Sequence, residues 1–152
     1  MEPFNPQTSG CIICGGMNPV GLHCRFLPAA DDGVEAELTL DERWQGYATL
    51  AHGGIVAGLM DDAMWHAIYQ RTARWMVTAE IRVRYHRPVM LGEMVRVRAT
   101  IERLHGRLVD ATATIADAEY GGGDGGGSLL AEAHGRFLPA PRDFIGFRHS
   151  PE

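Results

Sequence analysis

The chain has 152 residues, one domain's worth, and at that length roughly two thirds of the unfolded surface can be buried on folding. Its 45% apolar and 22% charged residues match an ordinary globular mix and argue against wholesale disorder, while a formal net charge of −5 argues against a dedicated nucleic-acid binder. All basic residues are arginine, so no lysine can act as a Schiff-base or general-base residue, and no apolar run is long enough for a transmembrane helix.

Met1 to Gly10 is polar and proline-containing, without the basic start and apolar run of a secretory signal. Cys11, Cys14 and Cys24 cannot all pair within one chain, and the expectation is reduced thiols in a cytoplasm. Leu22–Leu27 is a candidate strand. Val34, Ala36, Leu38 and Leu40 alternate with Glu35, Glu37 and Thr39, the period of two of a half-buried strand. From Gly53 to about Thr72, Ile55, Val56, Leu59, Met60, Ala63, Met64, Ala67 and Ile68 recur every three or four residues, which predicts a long, mostly buried helix. Three clearer strands follow. Ala79, Ile81, Val83 and Tyr85 alternate with Glu80, Arg82, Arg84 and His86; Val95, Val97, Ala99 and Ile101 with Arg96, Arg98, Thr100 and Glu102; and Val109, Ala111, Ala113 and Ile115 with Asp110, Thr112 and Thr114. His105-Gly106-Arg107 suits the hairpin between the last two. Gly121–Gly127, glycines around Asp124, lacks the Lys-Ser/Thr and following helix of a P-loop and reads as a hairpin tip before a final strand, Leu129–Phe137. The expected architecture is α+β: an antiparallel sheet of five or six strands wrapped around one helix, in a single domain 1–152 with an extension at 1–21 and an irregular tail at 139–152.

The chemistry concentrates on the helix. It opens with His52-Gly53-Gly54 and carries Asp61 two turns on, followed by Asp62. The first amides of a helix lack intrahelical partners and carry positive partial charge, and glycines there let a ligand approach the backbone. Such a site can stabilise a developing oxyanion, with Gly54 the amide aimed at a carbonyl and Gly53 beside it. A carboxylate on a largely covered helix needs a partner or a task. The alternative is a carboxylate satisfied by an arginine or by water.

His52-Gly53-Gly54-Ile55-Val56-Ala57-Gly58-Leu59-Met60-Asp61-Asp62-Ala63 resembles the central-helix signature of hotdog-fold acyl-CoA thioesterases of the phenylacetyl-CoA and human thioesterase-superfamily type. Val77-Thr78-Ala79-Glu80, Tyr85-His86-Arg87-Pro88-Val89 and Gly92-Glu93 resemble the strand and turn that follow it. Cys11-Ile12-Ile13-Cys14-Gly15 with Asn18-Pro19-Val20-Gly21-Leu22 resembles the start of many such chains. The resemblance spans about Cys11 to Pro139. It implies a hotdog fold and hydrolysis of an acyl-CoA to free acid and coenzyme A. The Gly-Gly amides would polarise the thioester carbonyl, Asp61 would act as general base or nucleophile, and Thr78 would hold the water or the carboxylate. It further implies no cofactor and active sites shared between subunits of a homodimer or homotetramer. His52, Asp62 and Met60 are candidate substrate contacts, with Arg82 and Arg84 for the coenzyme A phosphates. Trp44, Tyr47, Met64, Trp65 and Met76 are candidates for an acyl pocket.

Two other functions stay open on the same fold: an acyl-thioester hydratase or dehydratase, which needs a histidine to join Asp61, and an acyl-CoA-binding protein without turnover. Cys11-x-x-Cys14 with His23-Cys24 offers four soft ligands, the number a structural zinc site uses. Adjacent His23 and Cys24 would point to opposite faces of a strand, so the expectation is no metal and cysteines that pack a loop.

Overall fold

The computed structural model describes residues 4–119 and 127–141; the glycine run at 121–126 and most of the tail lie outside them. Six strands form one antiparallel sheet: β1 (Leu27–Pro28), β2 (Val34–Thr39), β3 (Met76–Tyr85), β4 (Met94–His105), β5 (Leu108–Asp117) and β6 (Leu129–Pro139), in spatial order β1-β2-β4-β5-β6-β3. The single α-helix, α1 (Gly53–Thr72), packs against strands β2 to β6. This is the α+β layout expected from the alternation.

The buried rows are those the period of two selects. Val34 and Ala36 of β2, Val95, Val97 and Ala99 of β4, and Val109, Ala111, Ala113 and Ile115 of β5 all face the helix. From α1 they meet Val56, Leu59, Met60, Ala63, Met64, Ala67 and Ile68. Close approach is possible because β6 has no side chain at Gly135. A Cβ there would stand 2.8 Å from Phe137 Cε2 and 2.9 Å from Met64 Cε. The helix stops at Ala73, a left-handed residue (φ 52°) whose N–H bonds the Tyr69 carbonyl.

The strand expected over Leu22–Leu27 does not form; only Leu27 pairs in the sheet. Instead Leu22 N–H and Cys24 N–H bond the carbonyls of Ile12 and Ile13, and His23 adopts φ 53°, which breaks the extended run. This N-terminal segment thereby packs along α1, with Phe4 against Trp65, His66 and Tyr69. No helix among the described residues is long and apolar enough to cross a membrane.

On the outer face of the sheet Asp110 accepts bonds from Arg136 Nε (2.9 Å) and His105 Nε2 (2.9 Å), and the bonds from Arg136 and then His105 hold its carboxyl well below the usual range. A carboxylate depressed in the folded state stabilises the fold above the unfolded value, near pH 4, and loses that contribution as pH falls through the folded value. Asp110→Asn should therefore cost about 0.5–1 kcal/mol at pH 7, with the gap to wild type closing below about pH 4 in thermal melts taken as a pH series.

Candidate functional site

The entrance to α1 is braced from three sides. Bridges join Gln45 to Ala51 and Leu50 to Met90, and His52 N–H bonds the Trp44 carbonyl at 2.8 Å. His52 is the N-cap (φ −63°, ψ 134°), and its Nδ1 accepts the Gly54 N–H at 2.9 Å. An accepting Nδ1 leaves the neutral ring's proton on Nε2. The His52 carbonyl takes the amides of Ile55 (3.0 Å) and Val56 (3.2 Å).

Of the four leading amides, only that of Gly53 has no acceptor among the described residues. This corrects the expectation for Gly54: its amide is occupied by the capping histidine. His52 is correspondingly a builder of the turn. The Gly53 backbone borders a cleft of about 490 Å³ lined also by Gly46, Tyr47, Leu50, Ala51 and His52. Tyr85 plays a part that no spacing in the chain points to. At the end of β3 its hydroxyl donates to the Gly53 carbonyl at 2.6 Å, tying the turn to the sheet, and burial pushes that hydroxyl's pKa up. Only a strand-end tyrosine was visible; the carbonyl it reaches lies 32 residues away.

Two turns along α1, Asp61 meets β3. Thr78 Oγ1 donates to Asp61 Oδ1 at 2.7 Å. Strict alternation would put Thr78 with Glu80 and Arg82 on the face away from the helix. The ladder instead pairs Thr78 with Phe137, then Glu80 with Arg136 and Ile81 with Gly135, so Ala79 is an extra residue in a bulge. Directly opposed residues share a face, and the bulge brings Thr78 round to the side of the buried Phe137. Burial raises the Asp61 pKa, the Thr78 bond opposes this, and the neighbouring Asp62 charge adds to the rise.

Eight residues of helix separate Gly53 from Asp61, about 12 Å at 1.5 Å per residue. One thioester carbonyl cannot touch both groups of the same chain.

Other expected contacts fall elsewhere. Met60 is fully buried in the core, because it lies on the sheet-facing arc of α1. Asp62, about 100° around the helix from Asp61, faces the N-terminal segment instead of the Thr78 side. It sits 3.8 Å from Cys11 Sγ and 3.6 Å from His66 Nε2. The thiol of Cys14 holds Cys11 down at about 6 against the effect of burial, while burial and the Asp62 charge push Cys24 up to about 12. Arg82 and Arg84 are exposed on β3, and neither forms an ion pair among the described residues. Of the acyl-pocket candidates, Tyr47 is exposed at the Gly53 cleft, whereas Met64 and Met76 are core residues and Trp65 Nε1 donates to the Met76 carbonyl at 3.0 Å.

Comparison with known proteins bears on this geometry. The family model described as thioesterase superfamily matches residues 49–123. No curated protein matches the chain. Among solved structures, a thioesterase superfamily protein is 25% identical with a TM-score of 0.74, covering 84% of this chain and 62% of that one, so this chain spans less than two thirds of that relative. The Escherichia coli PaaI protein from the phenylacetic acid degradation operon is 14% identical, with a TM-score of 0.67 and coverage of 79% and 81%. A Streptococcus mutans protein crystallised with acetyl-CoA is 14% identical, with a TM-score of 0.66 and coverage of 77% and 88%. The matched segment runs from the turn before α1 through β5 and takes in Gly53, Asp61 and Thr78, and the chain has the hotdog fold of thioesterase-superfamily structures.

Proposed function

We propose that the protein is an acyl-CoA thioesterase whose active site joins Gly53 of one subunit to Asp61 and Thr78 of another. The observation that carries this reading is the pairing of one vacant helix-start amide with one threonine-held carboxylate, about 12 Å apart on a single helix. The Gly53 amide donates to the thioester oxygen. Asp61 takes a proton from water as the water oxygen adds to the carbonyl carbon, and the negative charge that builds on the former carbonyl oxygen rests on the amide. Collapse breaks the C–S bond, and the proton passes from Asp61 to the departing sulfur. A carboxylate made more basic by burial is a better proton acceptor for this step. A structural neighbour from Streptococcus mutans is bound to acetyl-CoA in its crystal, which favours a coenzyme A thioester, and Arg82 and Arg84, without ion pairs among the described residues, supply charge for its phosphates.

A shared site requires an oligomer. β3 is a ten-residue edge strand at one end of the sheet, and its free backbone groups suit pairing with a second copy. The one histidine in α1, His66, lies beside Asp62 rather than Asp61, which gives the hydratase reading no acid–base partner there. The test combines thiol release over straight-chain and aromatic acyl-CoAs, enoyl-CoA hydration in parallel, and sedimentation. Free coenzyme A and a dimer or tetramer are expected. A protein that binds acyl-CoA with no thiol release over the whole panel is a binding protein, and a monomer at micromolar concentration removes the shared site.

A further inference from the structure

Outside the Gly53–Asp61–Thr78 arrangement, a second cluster forms where the N-terminal segment crosses α1. Cys11 Sγ, Cys14 Sγ and an Asp62 carboxylate oxygen all lie within 4.8 Å of one another. The turn carrying the two cysteines is tightly built. Gly15 N–H bonds the Cys11 carbonyl at 2.9 Å, Ile13 N–H points at Cys11 Sγ at 3.4 Å, and a Cβ at Gly15 would collide with the backbone of Ser9 and Cys11. Such a turn aims both sulfurs to one side.

The carboxylate they face is only half satisfied: its Oδ1 accepts from the Cys11 thiol at 3.8 Å. Asp62 Oδ2 is buried without a hydrogen-bond partner, and so is His66 Nε2, 3.6 Å from it and too far to bond. A buried carboxylate costs several kcal/mol unless a cation or donors compensate it, and none of the ion pairs among the described residues brings an arginine to Asp62.

We propose that Cys11, Cys14 and Asp62 bind a zinc ion that clamps the N-terminal segment to α1. Sulfur ligands select against magnesium and calcium, and an iron–sulfur cluster uses four cysteines, so two thiolates and a carboxylate point to zinc. Zn²⁺ joins two thiolates and one carboxylate, and each thiol proton still present is displaced to solvent. Solvent on the part-exposed side of Cys11 fills the fourth tetrahedral position. The four soft ligands offered by the sequence, Cys11, Cys14, His23 and Cys24, do not assemble, since His23 bonds the Asn18 carbonyl at the surface and Cys24 packs in the core. The third ligand comes instead from 51 residues along the chain.

The test uses the full chain, purified reduced without a metal-affinity tag and titrated with Co²⁺ and Zn²⁺. We expect one ion per chain, a thiolate-to-cobalt charge-transfer band with tetrahedral d–d absorption, and protection of Cys11 and Cys14 from alkylation by zinc. Cys11→Ser and Asp62→Asn should weaken cobalt binding at least tenfold, and Cys24→Ser should leave it unchanged. Fully reduced wild-type protein that takes up less than about a tenth of an ion per chain, or zinc that leaves Cys11 and Cys14 alkylation rates unchanged, overturns the site. The alkylation readout needs no variant, so a Cys11→Ser chain that fails to fold leaves the question decidable.

Discussion

Asp61→Asn should lower kcat for thioester hydrolysis by about 10²–10⁴-fold, the range for removing a positioned acid–base group. Asparagine keeps the shape of the side chain and can still accept the 2.7 Å bond from the Thr78 hydroxyl. It cannot take a proton from water. The same change removes a partly desolvated charge that stands next to Asp62, so the fold should be as stable as wild type or more so. Activity and stability thus move independently, and thermal melts beside steady-state kinetics read both. A folded variant that keeps more than about a tenth of wild-type kcat, a loss under about 1.4 kcal/mol in the barrier, takes Asp61 out of the mechanism.

Gly53→Pro should cost about 10²–10³-fold in kcat, the usual effect of deleting one oxyanion donor. Gly53 is the first helical residue after the His52 cap, the position where proline is best tolerated because that amide has no helical acceptor. His52, at φ −63° and ψ 134°, already has the extended backbone that a following proline demands. The helix should therefore stay intact while its vacant donor disappears. Gly53→Ala is the matched control. Its Cβ would meet the Tyr85 hydroxyl at 3.5 Å, an ordinary contact, and its N–H remains. Alanine should keep activity within a few-fold. Equal losses in the two variants would mean that bulk at this position matters and the amide does not. Gly54 offers no such test, because a Cβ there would press on the His52 ring at 3.0 Å and disturb the cap itself.

What could be read from the sequence was whatever follows a period. The apolar residues of α1 and the alternating rows of β2, β4 and β5 appear in the core where the pattern puts them. The site was legible as residue types on one helix, through the resemblance of the His52–Ala63 run. Its finer geometry was not. Whether Gly53 or Gly54 keeps a free amide depends on the rotamer of His52, which no spacing encodes. Thr78 faces Asp61 only because Ala79 bulges, and local alternation predicts the opposite face. Met60 and Asp62 were attached to the site by their nearness to Asp61 in the chain, but a helix turns neighbours about 100° apart, one to the sheet and one to the N-terminal segment. The same limit hid the grouping of Asp62 with Cys11 and Cys14.

The bare backbone at Gly135 acts as a depth gauge for the helix. The two side chains resting on it are Met64, one turn beyond Asp61, and Phe137, which stands opposite Thr78 in the ladder. Each therefore leads to one partner of the 2.7 Å bond between carboxylate and hydroxyl. A single methyl at 135 would lift α1 or push Phe137 aside, and either displacement would spread that bond first. The spacing between the Asp61 carboxylate and the Thr78 hydroxyl is in this way referred to the opposite side of the core, to a position in another strand.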